Sequence, residues 1–427
     1  MRANLFAALI GVLCVSGCGG GSGSLAGGGG GGGGTPTGSN VQAIVVDSGP
    51  TPVATSSTPA VNTAYTTVTI CAPGSTSNCQ TIDHIQVDTG SSGLRIISPG
   101  VLTITLPTQP DANIANNVVA ECVGFVDGSS WGSVRQADVK IGGETALKQL
   151  IQVIGDPAYA VPSTCKGTTA NPTLENSVAN FGANGILGVA PFISDCGPAC
   201  LQQNNGTYYT CPPSGACAQT TMPENLQVSN PIAAFTTDNN GVIIQLPSVA
   251  ASGTSSVSGS MIFGVGTQSN NGLGSATVFN LDGNGFMATK YGLATLHTAF
   301  IDSGSNAYYF PDNNLKNTAA CATNQGFWCP SADLGLSATI VNPVNNASKG
   351  VSFLVTNADN LFKNAKSIIA ATSGLAGDST LFGDGTGGTI NGSDAFDWGL
   401  PFYYGKTVFV VIEGKNTAGG TGPFFAF

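Results

Sequence analysis

Charge and histidine are what this sequence has least of. Charged residues make up 8% of its 427, and it holds only two histidines. Thirteen basic residues face 23 acidic ones, for a net charge of −10. Such a chain offers no basic surface for a phosphate backbone, which argues against a nucleic-acid partner. Scarce Glu, Lys and Arg also remove the best helix formers. Sixty glycines, with abundant Ser, Thr and Asn, point instead to β-sheet joined by many turns. The few ionised groups suit work in mild acid, where carboxylates lose charge.

The apolar run Leu5 to Val15 follows the positive Arg2 and is too short to span a bilayer. It reads as the core of a signal peptide, residues 1–17. Val15-Ser16-Gly17-Cys18 is similar to a bacterial lipobox, which would place a lipid on Cys18 and the protein in the cell envelope, at the outer membrane by the Gly19 that follows. Residues 18–40 include the run Gly27 to Gly34 and cannot fold alone. They read as a flexible tether, holding a domain about 25 Å from its anchor. Of 12 cysteines, Cys14 leaves with the signal and Cys18 takes the lipid. Cys71, Cys79, Cys122, Cys165, Cys196, Cys200, Cys211, Cys217, Cys321 and Cys329 remain, an even set that in an exported chain implies disulfides. Neighbours would pair as Cys71–Cys79, Cys122–Cys165, Cys196–Cys200, Cys211–Cys217 and Cys321–Cys329, with the connectivity left open by sequence. A zinc site from Cys196, Cys200, Cys211 and Cys217 is the weaker alternative.

The remainder repeats itself once. Val87-Asp88-Thr89-Gly90-Ser91-Ser92 and Ile301-Asp302-Ser303-Gly304-Ser305-Asn306 each follow an apolar strand and precede another. At nearly equal distances downstream come Gly185-Ile186-Leu187-Gly188 and Asp397-Trp398-Gly399-Leu400. Two related lobes follow, 41–245 with Asp88 and 246–427 with Asp302. Two carboxyls facing each other across a lobe interface cannot both ionise easily, so they hold one proton over a broad acidic range. A water between them can be activated by one while the other donates to a carbonyl. Thr89, Gly90, Ser91, Ser303, Gly304 and Ser305 supply the close-approach glycines and supporting hydroxyls.

At these residues the chain resembles the pepsin family of aspartic peptidases. Val87 to Leu94 matches the family's first catalytic motif, Phe300 to Ser305 the second, and Asn184 to Gly188 the segment threaded behind the first loop. Gly259 to Gly264 is similar to the strand that opens the second lobe, and Gly422 to Phe427 to the closing one. With its lipobox, tether and Trp398 to Gly405, the chain also resembles an uncharacterised bacterial lipoprotein family of this fold. The resemblance implies an all-β, two-lobed fold with a central cleft, and an endopeptidase whose catalytic pair is Asp88 and Asp302. It implies no cofactor and no metal, a monomer, and a polypeptide substrate in the cleft under a flap hairpin, Cys122 to Val139. The flap residues would be Phe125, Asp127, Gly128 and Ser129. Two positions depart from the family: Phe125 stands where a Tyr is usual, and Arg95 where Trp is common, with Trp131 close by in the flap.

Three other readings are weaker. His84 and His297 could join a serine in a hydrolase triad, but an ordinary strand position accounts for both. Asp47-Ser48-Gly49 reads as a surface turn. The fold could also serve as an inert binding module or adhesin.

Overall fold

The computed structural model describes residues 38–126, 128–165, 173–364, 369–382 and 391–427. The expected signal peptide, Cys18, nearly all of the tether, and Asp127 at the flap lie outside these residues.

Among the described residues the architecture is mainly β, with a few short helices, in two lobes. In the first lobe the strand Cys79–Asp88 runs parallel to Gly185–Val189, which pairs antiparallel with Ser92–Ile97. In the second, Ala294–Ile301 runs parallel to Ala395–Trp398, which pairs antiparallel with Tyr308–Tyr309. The halves that repeat in sequence thus repeat in topology: a strand ends at an Asp turn, the chain doubles back, and a later segment threads between the two arms. Both threading strands are wholly buried, the first an apolar run, the second carrying Asp397 among apolar residues.

A set of antiparallel strands joins the lobes beneath the turns. Val41–Val46 pairs with Val257–Phe263, and that strand with Gly241–Leu246. Gly241–Leu246 pairs in turn with Lys406–Val411, and Phe424–Ala426 closes against it. The opening and closing strands expected for the second lobe are both in this platform. The main core, from Ile44 to Phe427, runs through both lobes without a break.

The hairpin Val118–Gly124 with Ser129–Ile141 carries the expected flap. Ser129–Ile141 then turns into Glu144–Ile154 through Gly142 and Gly143, at φ +51° and +83°. Positive φ at both central residues of a two-residue turn is a conformation that strongly favours glycine. All ten cysteines between 71 and 329 form the five neighbour pairs. Cys196, Cys200, Cys211 and Cys217 are therefore bonded in two pairs and are not thiolate ligands for zinc. No helix among the described residues is long and apolar enough to cross a membrane.

Candidate functional site

Asp88 ends the strand Cys79–Asp88, and Asp302 directly follows Ala294–Ile301; both are fully buried. In each turn the carboxylate bonds its own loop. Gly90 N–H donates to Asp88 Oδ1 at 2.8 Å, and Gly304 N–H to Asp302 Oδ1 at 2.7 Å. Ser91 Oγ donates to Asp88 Oδ2, and Ser305 Oγ to Asp302 Oδ2 at 2.9 Å. These bonds fix each side chain's orientation and favour its ionised form.

The residue after each Asp reaches into the other lobe. Thr89 N–H donates to Ser303 Oγ at 3.1 Å, and Ser303 N–H to Thr89 Oγ1 at 2.9 Å. Thr89 Oγ1 donates to Ile301 O at 3.0 Å, and Ser303 Oγ to Val87 O at 2.8 Å. Each hydroxyl thus both accepts from and donates to the backbone of the opposite lobe's turn, and the two turns are locked face to face. Thr89 has one hydroxyl hydrogen, and Ile301 O takes it. Tyr403, 2.7 Å from Thr89 Oγ1, must then be the donor in that contact.

Glycine is required in both turns for close approach. A Cβ on Gly90 would lie 2.7 Å from Asp302 Cγ, and one on Gly304 would overlap the Asp88 carboxylate. Packing two acids this tightly has an electrostatic consequence. Burial pushes the Asp302 carboxyl well above the usual carboxylate range, and the neighbouring Asp88 charge pushes it further. A pair in this state can hold one proton between its members and can both accept and donate a proton.

The described flap residues Phe125, Gly128 and Ser129 lie at the end of the hairpin. Phe125 N–H donates to Gly128 O at 2.7 Å across the tip. Phe125 itself packs edge-on to Phe181, in a first-lobe cluster with Tyr65, Ile97 and Ile186. Its neighbour Val126 packs against a different cluster, made mainly of second-lobe residues. Ser129 N–H donates to Thr173 O, and Glu175 N–H to Ser129 O, which holds the base of the tip. Trp131 does not replace the missing Trp near Arg95. It packs on Tyr209 at 5.0 Å, and its indole N–H bonds Tyr159 O. Arg95 is buried and bonds Glu121 and Asp195, each at 2.8 Å. Tyr208 Oη donates to Asp195 in the same cluster, also at 2.8 Å.

The histidines stand apart from the pair. His84 Nδ1 meets Asp83 and Nε2 meets Asp47, while His297 bonds Asp394 at the surface. Asp47 Oδ1 accepts from Gly49 N–H, the surface turn expected of that motif.

Three residues the sequence reading passed over belong to the site. Tyr403 is the donor to Thr89 Oγ1 described above. Asn62 donates to Asn306 O at 2.8 Å and Thr372 O at 2.9 Å, and accepts from Thr372 N–H and Tyr404 Oη. It ties the first lobe to the residue that follows Ser305. Asp397 is a third acid, fully buried on Ala395–Trp398. Tyr403 and Asn62 left no local signal, because their partners are remote in sequence. Asp397 did: it is an acid at the center of a buried strand.

Residues 36–427 match the family described as "Protein of unknown function (DUF3443)". No curated protein matches the chain. Among solved structures, the chain is similar to an aspartic proteinase from Irpex lacteus, at 15% identity and a TM-score of 0.49. That alignment covers 90% of this chain and 96% of the other.

Proposed function

The chain belongs to the DUF3443 family of proteins of unknown function, and from its site we propose that it is an aspartic endopeptidase. One observation carries the reading. The cross-lobe clasp of Thr89 and Ser303 holds two buried carboxyls, Asp88 and Asp302, close enough that only glycine fits beside them. Such a pair keeps one proton in mild acid. The ionised member takes a proton from a water held between them, and the protonated member donates to the scissile carbonyl. The water oxygen bonds to the carbonyl carbon, and the resulting intermediate collapses with proton transfer to the leaving amine. The substrate is a polypeptide lying in the cleft beneath the flap tip, which must lift Val126 from the mainly second-lobe cluster it packs against. The five disulfides support export to an oxidising compartment, with Cys18 as the lipid anchor of a monomer in the cell envelope.

A second reading is an inert binding module of the same fold. Phe125 favours it: it has no hydroxyl to offer a substrate and is packed into the first lobe.

Hydrolysis of an unfolded protein from about pH 3 to pH 7, with and without pepstatin, separates the two. The expected result is acid-range cleavage that pepstatin blocks. Asp88→Asn and Asp302→Asn should each lower it by at least ~10²-fold, the usual share of acid–base catalysis. Folded, disulfide-intact protein that cuts nothing, or an Asn variant with full activity, would sink the endopeptidase reading.

A further inference from the structure

Asp397 is a buried acid for which the water-activating pair has no direct use. Its strand pairs on one side with the strand leading into Asp302, in the register Phe300↔Asp397 and Ile301↔Trp398. On the other side Tyr309 pairs with Asp397. Leu400 N–H, just beyond the strand, donates to Ser305 O at 2.7 Å, so this segment runs along the Asp302 turn itself. Phe300 and Tyr309 belong to an aromatic cluster with Phe327 and Phe382. Among the described residues neither Asp397 oxygen has a hydrogen bond of ordinary geometry. A carboxylate left so in an apolar site would be very costly. The Ser305 hydroxyl is close enough to act on it, and already donates to Asp302 Oδ2 at 2.9 Å.

We propose that Asp397 is a positioning residue for the acid pair: as a neutral carboxylic acid it donates to Ser305 Oγ, and so commits the Ser305 hydrogen to Asp302 Oδ2. Ser305 has one hydrogen and spare lone pairs, so it can accept from one carboxyl while donating to the other. The relay Asp397→Ser305→Asp302 favours the ionised form of Asp302, opposing the burial and the Asp88 charge that push its carboxyl upward. In the first lobe Ile186, which has no proton to donate, holds the matching position between Gln86 and Arg95. The ionisable groups around Asp397 are Asp302, Asp88 and Tyr403, with the Tyr309 hydroxyl on the adjoining strand turned to Asn306. All three acids repel one another, and burial holds Asp397 well above the usual carboxylate range, with Asp302 adding to the effect. This supports the neutral form.

The kinetic test rests on the endopeptidase reading; a second test does not. Asp397→Leu, which restores the apolar residue of the first lobe, removes the donor. Asp302 then loses a hydrogen bond to its ionised form, and the acidic limb of kcat should move to higher pH by roughly half a unit to one unit. KM should stay within about twofold. Asp397→Asn, whose amide can donate to Ser305, should recover most of that shift. If Asp397 were instead ionised, its removal would relieve repulsion and move the limb to lower pH. A downward shift or an unmoved limb overturns the proposal. Infrared titration of the whole folded protein needs no activity. A protonated-carboxyl band that persists at neutral pH and vanishes in Asp397→Asn supports the proposal. Its absence from the unsubstituted protein overturns it, whether or not the protein cuts peptides.

Discussion

The two lobes share a backbone and exchange a polarity. In the first lobe the threading strand puts apolar Ile186 between two polar neighbours, Gln86 and Arg95. In the second, the same position is Asp397, between aromatic Phe300 and Tyr309. The turns themselves are nearly interchangeable: Asp, hydroxyl residue, Gly, Ser, with matching bonds on both sides. A two-fold clasp demands likeness only at residues that cross the interface. Behind the turns each lobe is free to place its charge elsewhere. The first has put it in the Arg95, Glu121 and Asp195 cluster, and the second in a lone acid beside Ser305.

The largest expected effect breaks the difference between the lobes. Arg95→Met leaves Glu121 and Asp195 buried without a cation. Removing one partner of such a cluster costs about 3–5 kcal/mol. At the matching second-lobe position Tyr309→Phe loses the hydroxyl bond to Asn306, of 2.7 Å, at about 1 kcal/mol. Urea unfolding of both variants checks this. Equal losses would mean that the ionic cluster contributes no more than a single hydroxyl.

The next prediction sharpens the likeness. Gly90→Ala and Gly304→Ala each place a methyl against the opposite carboxyl. Overpacking costs typically ~1–3 kcal/mol, and here the strain falls on the reacting groups. Each should cut kcat/KM by about 10²-fold or more, since misplacement of about 1 Å costs that much, and to a similar extent in both lobes. A tenfold difference between them would show that the pair is not held symmetrically.

How much of this was legible beforehand depends on where each residue's partner lies. The Asp turns announced themselves because they occur twice, each behind an apolar strand, and the neighbour disulfides because short loops close easily. The threading segments were legible as apolar-Gly elements at matching offsets. What stayed hidden was the use of side chains across the interface: Tyr403 on Thr89, Asn62 on Asn306. These contacts join residues hundreds of positions apart. Phe125 was identified as the flap residue, but whether it faces the cleft or packs on Phe181 is decided by tertiary packing. Arg95 looked like a loss of Trp; Glu121 and Asp195, which give it a purpose, lie on other strands and loops.

The smallest effect concerns stability against pH, where the lobes act together. Asp195 in the first lobe and Asp302 and Asp397 in the second are all held well above the usual carboxylate range. Burial is the first cause in each; Glu121 is the next for Asp195, Asp88 for Asp302, and Asp302 for Asp397. An acid whose folded pKa is raised keeps its proton in the native state after the unfolded chain has lost it. Between the ordinary carboxylate pKa and the raised one the native state therefore binds more protons, and stability falls as pH rises. Each such group contributes a slope of up to about 1.4 kcal/mol per pH unit in that window. Asp47, lowered by its bonds to His84 and Gly49 against the opposing effect of burial, acts in the reverse sense, as does Asp156, lowered by Ser133 and Arg135. Their contribution is lost as pH falls below the ordinary carboxylate range. The two sets bound a stability maximum in mild acid. Thermal unfolding followed from about pH 3 to pH 7 should show that maximum, and Asp397→Asn should flatten its neutral side by one group's share. A protein whose stability climbs steadily to neutral pH would mean that these buried acids ionise in the native state, and the polarity exchange between the lobes would then carry charge rather than protons.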